Sequence, residues 1–276
     1  MLVRVSEIGP IATGAWRFGI AALILAAVFR VRRVRLALPL ARSSRDMAFL
    51  VFGGVFLGLS VSLWQASIME TSIANASILG NIHPFVAAIG GWLWFRERVT
   101  LPYLAGTAVA LIGIALLVRA SAGPMTAIGS GDAIAIASGA ALAGWILILK
   151  RLRRSFTTPH ATIYPLAIAS PTMFVVAAIA DEDMLAATGD GWLLLLGFAL
   201  VVNVVGQSAF VYASGQLRAS AISLAMVFVP VVASAFGWLF LGEPVTLLQG
   251  AAGFTVLAGI AIAQWRPRRT QPASPP

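Results

Sequence analysis

Five polar residues of this chain stand inside apolar runs, out of reach of bulk water: Arg17, Asn81, His83, Asn203 and Gln207. A guanidinium in hydrocarbon is costly, and the reading of first resort is that it binds an anion or a carboxylate. Arg17, in "GAWRFG", lies about 9 Å from the near end of its run at 1.5 Å per residue. Snorkelling outward, or pairing with Glu7 or Glu70, is therefore the alternative. His83 sits at the centre of the run 71–95, and its imidazole titrates near neutrality, so it could carry a proton. It also shares a helical face with Ala76, Gly80 and Ala87, small residues that admit a close neighbour, so it could equally be a packing residue. Asn81 falls on a different face, with Ser77. Asn203 and Gln207 are spaced i, i+4 and share one face. Two such amides either bond to an adjoining helix or line an aqueous path. Pro84 and Pro230 remove backbone donors at midplane depth and free carbonyls there, which is tolerated where a cavity is lined.

No enzymatic constellation accompanies these residues. The histidines are His83 and His160 alone, there is no cysteine, and neither HExxH nor GxxxxGK[ST] occurs. No metal, cofactor or intrinsic ATP hydrolysis is expected, and the chain does not read as an enzyme. The glycines of "FGGVFLG" (52–58) have helix-packing rather than phosphate-binding spacing.

The elements that must position these residues are membrane helices. The chain is 59% hydrophobic and 11% charged, where a soluble domain has about 25% charged residues. Its apolar residues form nine blocks, near 11–29, 47–69, 71–95, 101–118, 131–149, 160–180, 191–214, 217–241 and 245–265. Each approaches the roughly 20 residues that cross a bilayer. The net charge of +9 could suggest nucleic acid, but the basic residues are confined to short loops, which argues against it. Alternating nine blocks puts sixteen of the nineteen basic residues on one side, including those of 30–45, 150–154 and 266–269. Positive loops stay in the cytoplasm, so the C-terminus is expected there. The Pro-rich basic tail, 267–276, is expected to be disordered.

"GWLWFRERVT" (91–100) and "GWLFLGEPVT" (237–246) are near-copies, and 16 of the 44 positions from 72 to 115 are identical to those 146 residues later. The offset pairs Pro84 with Pro230, Glu97 with Glu243 and Thr100 with Thr246. Thr246 and Gln249 have capping-box spacing, and Thr100 holds the matching N-cap position. A carboxylate just ahead of a helix start is favoured by the helix dipole. Glu97 and Glu243 thus read as part of a tight turn with a capped start, a gating or coupling role being the alternative. The copies lie five helices apart, an odd number, so they cross in opposite directions. Such inverted repeats place substrate sites near the midplane and support alternating access. Asn81 and His83 become Val227 and Val229 under the offset, so the scaffold repeats while this polar pair does not.

Two half-repeats, each with a Pro-containing helix, a G-x-x-x-x-x-E-x-x-T turn and a helix rich in small residues, resemble the EamA-like members of the drug/metabolite transporter superfamily. "LGEPVT" (241–246) keeps the usual turn; "FRERVT" (95–100) replaces its Gly and Pro with Arg. The resemblance implies ten helices with both termini cytoplasmic, and export or exchange of a small metabolite. It also lends Arg17 support, since an Arg commonly stands at this place in the family. The expected fold is an all-α polytopic membrane protein of two inverted five-helix halves, 1–119 and 131–266, with nine transmembrane helices present. The offset places the partner of 131–149 just ahead of Met1, so a first helix is expected to be encoded upstream. The expected function is a secondary transporter of the bacterial inner membrane moving a small metabolite or drug; the alternative is a membrane-embedded non-transporter, such as a lipid-modifying enzyme or assembly partner. Expected partners are the substrate, the bilayer, a proton or counter-solute and, as an option, a second copy in a homodimer.

Overall fold

The computed structural model describes residues 8–33, 43–122, 129–232, 239 and 246–264, leaving aside the side chains of 73, 74 and 120–122. Glu243, Gly237 and the tail 267–276 lie outside the described residues. Every regular element among the described residues is a helix. In order they are α1 (Pro10–Val31), α2 (Ser44–Glu70), α3 (Ile73–Gly80), α4 (His83–Phe95), α5 (Leu101–Ala122), α6 (Ser130–Ser155), α7 (Thr158–Ile179), α8 (Gly189–Phe198), a π-helical stretch Ala199–Gln207, α9 (Ser208–Ser214), α10 (Ala219–Met226) and α11 (Leu247–Gln264). Eight helices or joined helices are long and apolar enough to span a bilayer, and Ala219–Val232 is a shorter apolar ninth. The chain is an all-α polytopic membrane fold.

The helices start where side chains can satisfy orphan backbone donors. Ser43 accepts from Arg45 N–H and Ser72 from Asn75 N–H. The capping box expected at Thr246 is formed in both directions, Thr246 N–H to Gln249 Oε1 at 2.9 Å and Gln249 N–H to Thr246 Oγ1 at 3.2 Å. Thr100 caps α5 through Tyr103 N–H, at 3.4 Å.

The two halves meet as antiparallel copies. Gly106 of α5 faces Gly259 and Ala263 of α11, while Gly113 faces Ala252 and Val256. Shifting by 146 turns Gly113 into Gly259 and Gly106 into Ala252, so the two contacts are one contact seen from both ends. Only a two-fold axis between the helices does that. α1 and α7 cross likewise, with Gly14 against Met173 and Gly19 against Ser170. At the centre, α2 packs on α6 and α7 through its glycines: Gly53 against Trp145 and Ile148, Gly54 against Ile168, Gly58 against Ala169. Missing side chains let the backbones approach, the usual device where lipid supplies no hydrophobic drive between helices.

The run 71–95 is not one continuous helix. It breaks at Asn81–Ile82, between α3 and α4. The second half breaks at 227–228, the same place under the 146 offset. Backbone bonds repeat too: Phe85 and Val86 N–H donate to Ile82 O, as Val231 and Val232 N–H donate to Phe228 O. The cause is Pro84 and Pro230, each two residues beyond its break, which cannot continue the helical ladder.

Candidate functional site

At the first break, Pro84 has no N–H to offer the carbonyl of Gly80, four residues back. His83 Nδ1 lies 3.3 Å from that oxygen, and Nε2 lies 3.2 Å from Ser223 O on α10. The imidazole is 3% exposed and held between two carbonyls, one from each half. A neutral ring can donate to one of them; a protonated ring donates to both. At the second break Val229 replaces His83 and has no donor. Asn81 turns back on its own helix, Nδ2 to Ser77 O at 2.6 Å. Gly139 of α6 lies against Gly80 O and Ile82, closing over the break. Pro84, Ala76, Gly80 and Ala87 are all buried, as the small-residue face requires.

From His83 a line of polar contacts runs along the α4–α10 seam to the arginine-rich end. The Tyr103 hydroxyl lies 3.0 Å from Pro84 O and 3.3 Å from Ser220 O. Beyond it, the Glu97 carboxylate accepts from Ala219 N–H and from Ser220 Oγ, both at 3.2 Å. Lys150 of α6 reaches the carbonyl of Leu217 just before α10. Along the chain, Glu97 stands just ahead of the start of α5. The structure instead turns it 122 residues along the chain, to the first turn of α10, where orphan donors and the positive dipole end favour a carboxylate. Arg96 takes a left-handed backbone, φ 52° and ψ 34°, and that turn redirects the chain out of α4.

Further polar residues stand on α1 and on the span Gly189–Ser214, which pack against each other. The Arg17 guanidinium lies 5.7 Å from the centre of the Phe198 ring, a cation–π contact. Its Nε is buried with no hydrogen-bond partner among the described residues. Asn203 is 3% exposed and its Oδ1 is likewise without a partner there. Glu70 accepts from Ser130 Oγ at 2.9 Å instead of pairing with Arg17, and Glu7 lies outside the described residues. Asn203 and Gln207 lie in the π-helical stretch, Asn203 buried and Gln207 half-buried, with Val201 and Val202 exposed just before them and Val205 exposed between them. Short π segments frequently occur at functional sites. Pro230 is half-buried beside the second break.

Of the expected site residues, Asn81, His83 and Pro84 lie at the first break and Pro230 beside the second, while Arg17 lies on α1 and Asn203 and Gln207 on the π-helical stretch that packs against it. Tyr103, Ser220, Ser223 and Phe198 belong with them and were not legible beforehand. Tyr103 carried one signal, a phenol near the start of an apolar run. Ser220 and Ser223 carried none, because Ser223 joins through its backbone carbonyl.

Comparison with known proteins agrees with this architecture. The model of the EamA-like transporter family matches residues 1–119 and 129–264. The chain is 27% identical over 212 residues to an uncharacterised transporter of Archaeoglobus fulgidus, covering 77% of this chain and 74% of that one. It is 24% identical to the pseudopaline exporter CntI of Pseudomonas aeruginosa, covering 81% and 78%. A probable amino-acid metabolite efflux pump of Salmonella typhimurium is 25% identical, with 77% of each chain covered. A solved crystal structure shares the fold at a TM-score of 0.75 and 19% identity, over 94% of this chain and 88% of the other.

Proposed function

The chain belongs to the EamA-like transporter family, and from that premise we propose that it is a secondary transporter exporting or exchanging a small carboxylate-bearing metabolite by alternating access. The observation that supports this most is the pair of helix breaks before Pro84 and Pro230 in two inverted halves. Broken helices at a repeat interface are where transporters of this construction bind substrate. Arg17 is the anion-recognising group in this reading, and the unpartnered Asn203 oxygen and Gln207 stand on the π-helical stretch that packs against its helix. Substrate contact would complete bonds that the chain leaves open. His83 is the coupling group: a proton there lets both ring nitrogens donate and strengthens the tie between α4 and α10. The arginine-rich loops support placement in the cytoplasmic membrane of a bacterium, C-terminus inward. Amino-acid cargo is suggested further by the name of the Salmonella relative.

Reconstitution tests this. Proteoliposomes loaded with a panel of unlabelled amino acids and short carboxylates should show counterflow of at least one radiolabelled member. Arg17→Gln should abolish that flux and Arg17→Lys should retain part of it. Folded protein that moves no member of the panel, with or without a pH gradient, would favour the non-transport alternative.

A further inference from the structure

The two copies of the Glu turn differ at two positions that change charge. Arg96 stands where the second half has Gly242, and Arg98 where it has Pro244. Arg96 has φ 52°, a left-handed conformation that glycine adopts freely and that a side chain bearing Cβ holds at a cost of about 1 kcal/mol. A loop that only needed positive charge for orientation could carry it at any neighbouring residue. This one keeps it at a strained position.

Both guanidinium groups are exposed, and neither has a hydrogen-bond or ion-pair partner among the described residues. The carboxylate between them, Glu97, is turned away to α10. Arg96 and Arg98 line a groove of about 580 Å³ whose other walls include Ile89, Trp92, Val99 and Leu104. The indole of Trp92 is 58% exposed, as suits a ring at the level of lipid headgroups. A soluble anion would have no use for the apolar walls, and a neutral lipid no use for two unpaired cations. An amphiphile with a negative head uses both.

We propose that this groove binds an anionic phospholipid of the arginine-rich leaflet, its phosphate held by Arg96 and Arg98 and an acyl chain lying along Ile89 and Leu104. Guanidinium groups present a planar fork that matches phosphate oxygens. The bound lipid abuts the turn that supplies Glu97, so it braces the α4–α10 seam.

The test uses purified full-length protein in a neutral detergent. Micelles doped with phosphatidylglycerol or with phosphatidylcholine of the same chains are compared by thermal melting and by native mass spectrometry. The wild type should retain one phosphatidylglycerol and melt higher with it than with phosphatidylcholine. Arg96→Gly with Arg98→Pro restores the second-half residues and so suits the fold. It should weaken phosphatidylglycerol binding ~30-fold, about fivefold per arginine near an anionic surface. Arg96→Gly alone should melt as high as wild type or higher without lipid, because it relieves the strained φ, yet weaken phosphatidylglycerol binding about fivefold, half of the double variant's loss in free energy. An equal increment in wild type and double variant overturns the proposal. So does equal protection by inorganic phosphate or glycerol phosphate, which would make the groove a site for free anions.

Discussion

Removing the Glu97 carboxylate should loosen the arginine-rich end of the seam between the halves. The side chain supplies one N-cap bond, from Ala219 N–H, and one bond from Ser220 Oγ, both at 3.2 Å. Losing an N-cap costs about 1 kcal/mol, and losing a hydrogen bond to a charged group about 1.5–3 kcal/mol. The two share one carboxylate that is only half-buried, so their joint effect is taken as about 2 kcal/mol, or ~30-fold in the ratio of closed to open seam. The chain has no cysteine, so a single Ser223→Cys gives a reporter without background. Ser223 is fully buried on α10, three residues beyond Ser220, which Glu97 and Tyr103 contact. In membranes, maleimide labelling of that cysteine from the arginine-rich side should be slow and should accelerate ~30-fold with Glu97→Ala, if opening precedes reaction. Glu97→Gln keeps an acceptor for Ala219 and should accelerate it only several-fold. Thr100→Ala, which removes a cap within one half, should leave the rate unchanged. Equal rates with and without Glu97, in variants of equal melting temperature, would refute the reasoning.

Other outcomes follow from the packing and the sequence. Gly106→Val drives a side chain into the backbone of Gly259 and Ala263; it should lower detergent stability by at least the 1–3 kcal/mol typical of overpacking. Gly197→Ala, with nothing within 4 Å of the added methyl, should be neutral or stabilising by up to about 1 kcal/mol in thermal melting. His83→Ala should make counterflow insensitive to an imposed pH gradient while exchange at equal pH persists, measured in the same proteoliposomes; retained sensitivity would remove His83 from coupling. Reporter fusions after residues 155 and 185 should read opposite sides, because α7 (Thr158–Ile179) crosses between them; fusions after 40 and 155 should agree.

The scaffold was legible because two signals are local and redundant. Apolar runs of spanning length mark the helices whatever they pack against, and a 146-residue repeat survives drift at Pro84, Gly91, Glu97 and Thr100 because each has a backbone job. The break at Asn81–Ile82 was half-visible in Pro84; the proline marks where the ladder must fail but not how sharply the helix is cut. The π-helical stretch Ala199–Gln207 had no signal at all. An extra residue per turn leaves the order of apolar and polar types unchanged, so "ALVVNVVGQ" reads as ordinary helix. Glu97 shows the main loss. Its place beside Thr100 made capping of α5 the natural inference, but a three-residue distance along the chain said nothing about which helix start lay in reach. Capping did occur, and the partner was the other half.

The broken symmetry bears on how such a chain could rest in one state. If both halves were identical, opening toward either side would give conformations related by a two-fold rotation and equal in energy. Ties present in only one copy lift that equality. Glu97 is repeated as Glu243, so it does not by its residue type distinguish the two ends. His83 becomes Val229, which has no side-chain donor to match the contact of the ring with Ser223 O across the seam. Each buried bond of this kind is worth about 1 kcal/mol. Under the proposed alternating access, that one unmatched tie favours closure of the α4–α10 seam by about 1 kcal/mol before any substrate binds. Cargo must supply its own differential affinity to reverse that bias. In the proposed reading, the open valences at Arg17 Nε and Asn203 Oδ1 are where such affinity would be gained.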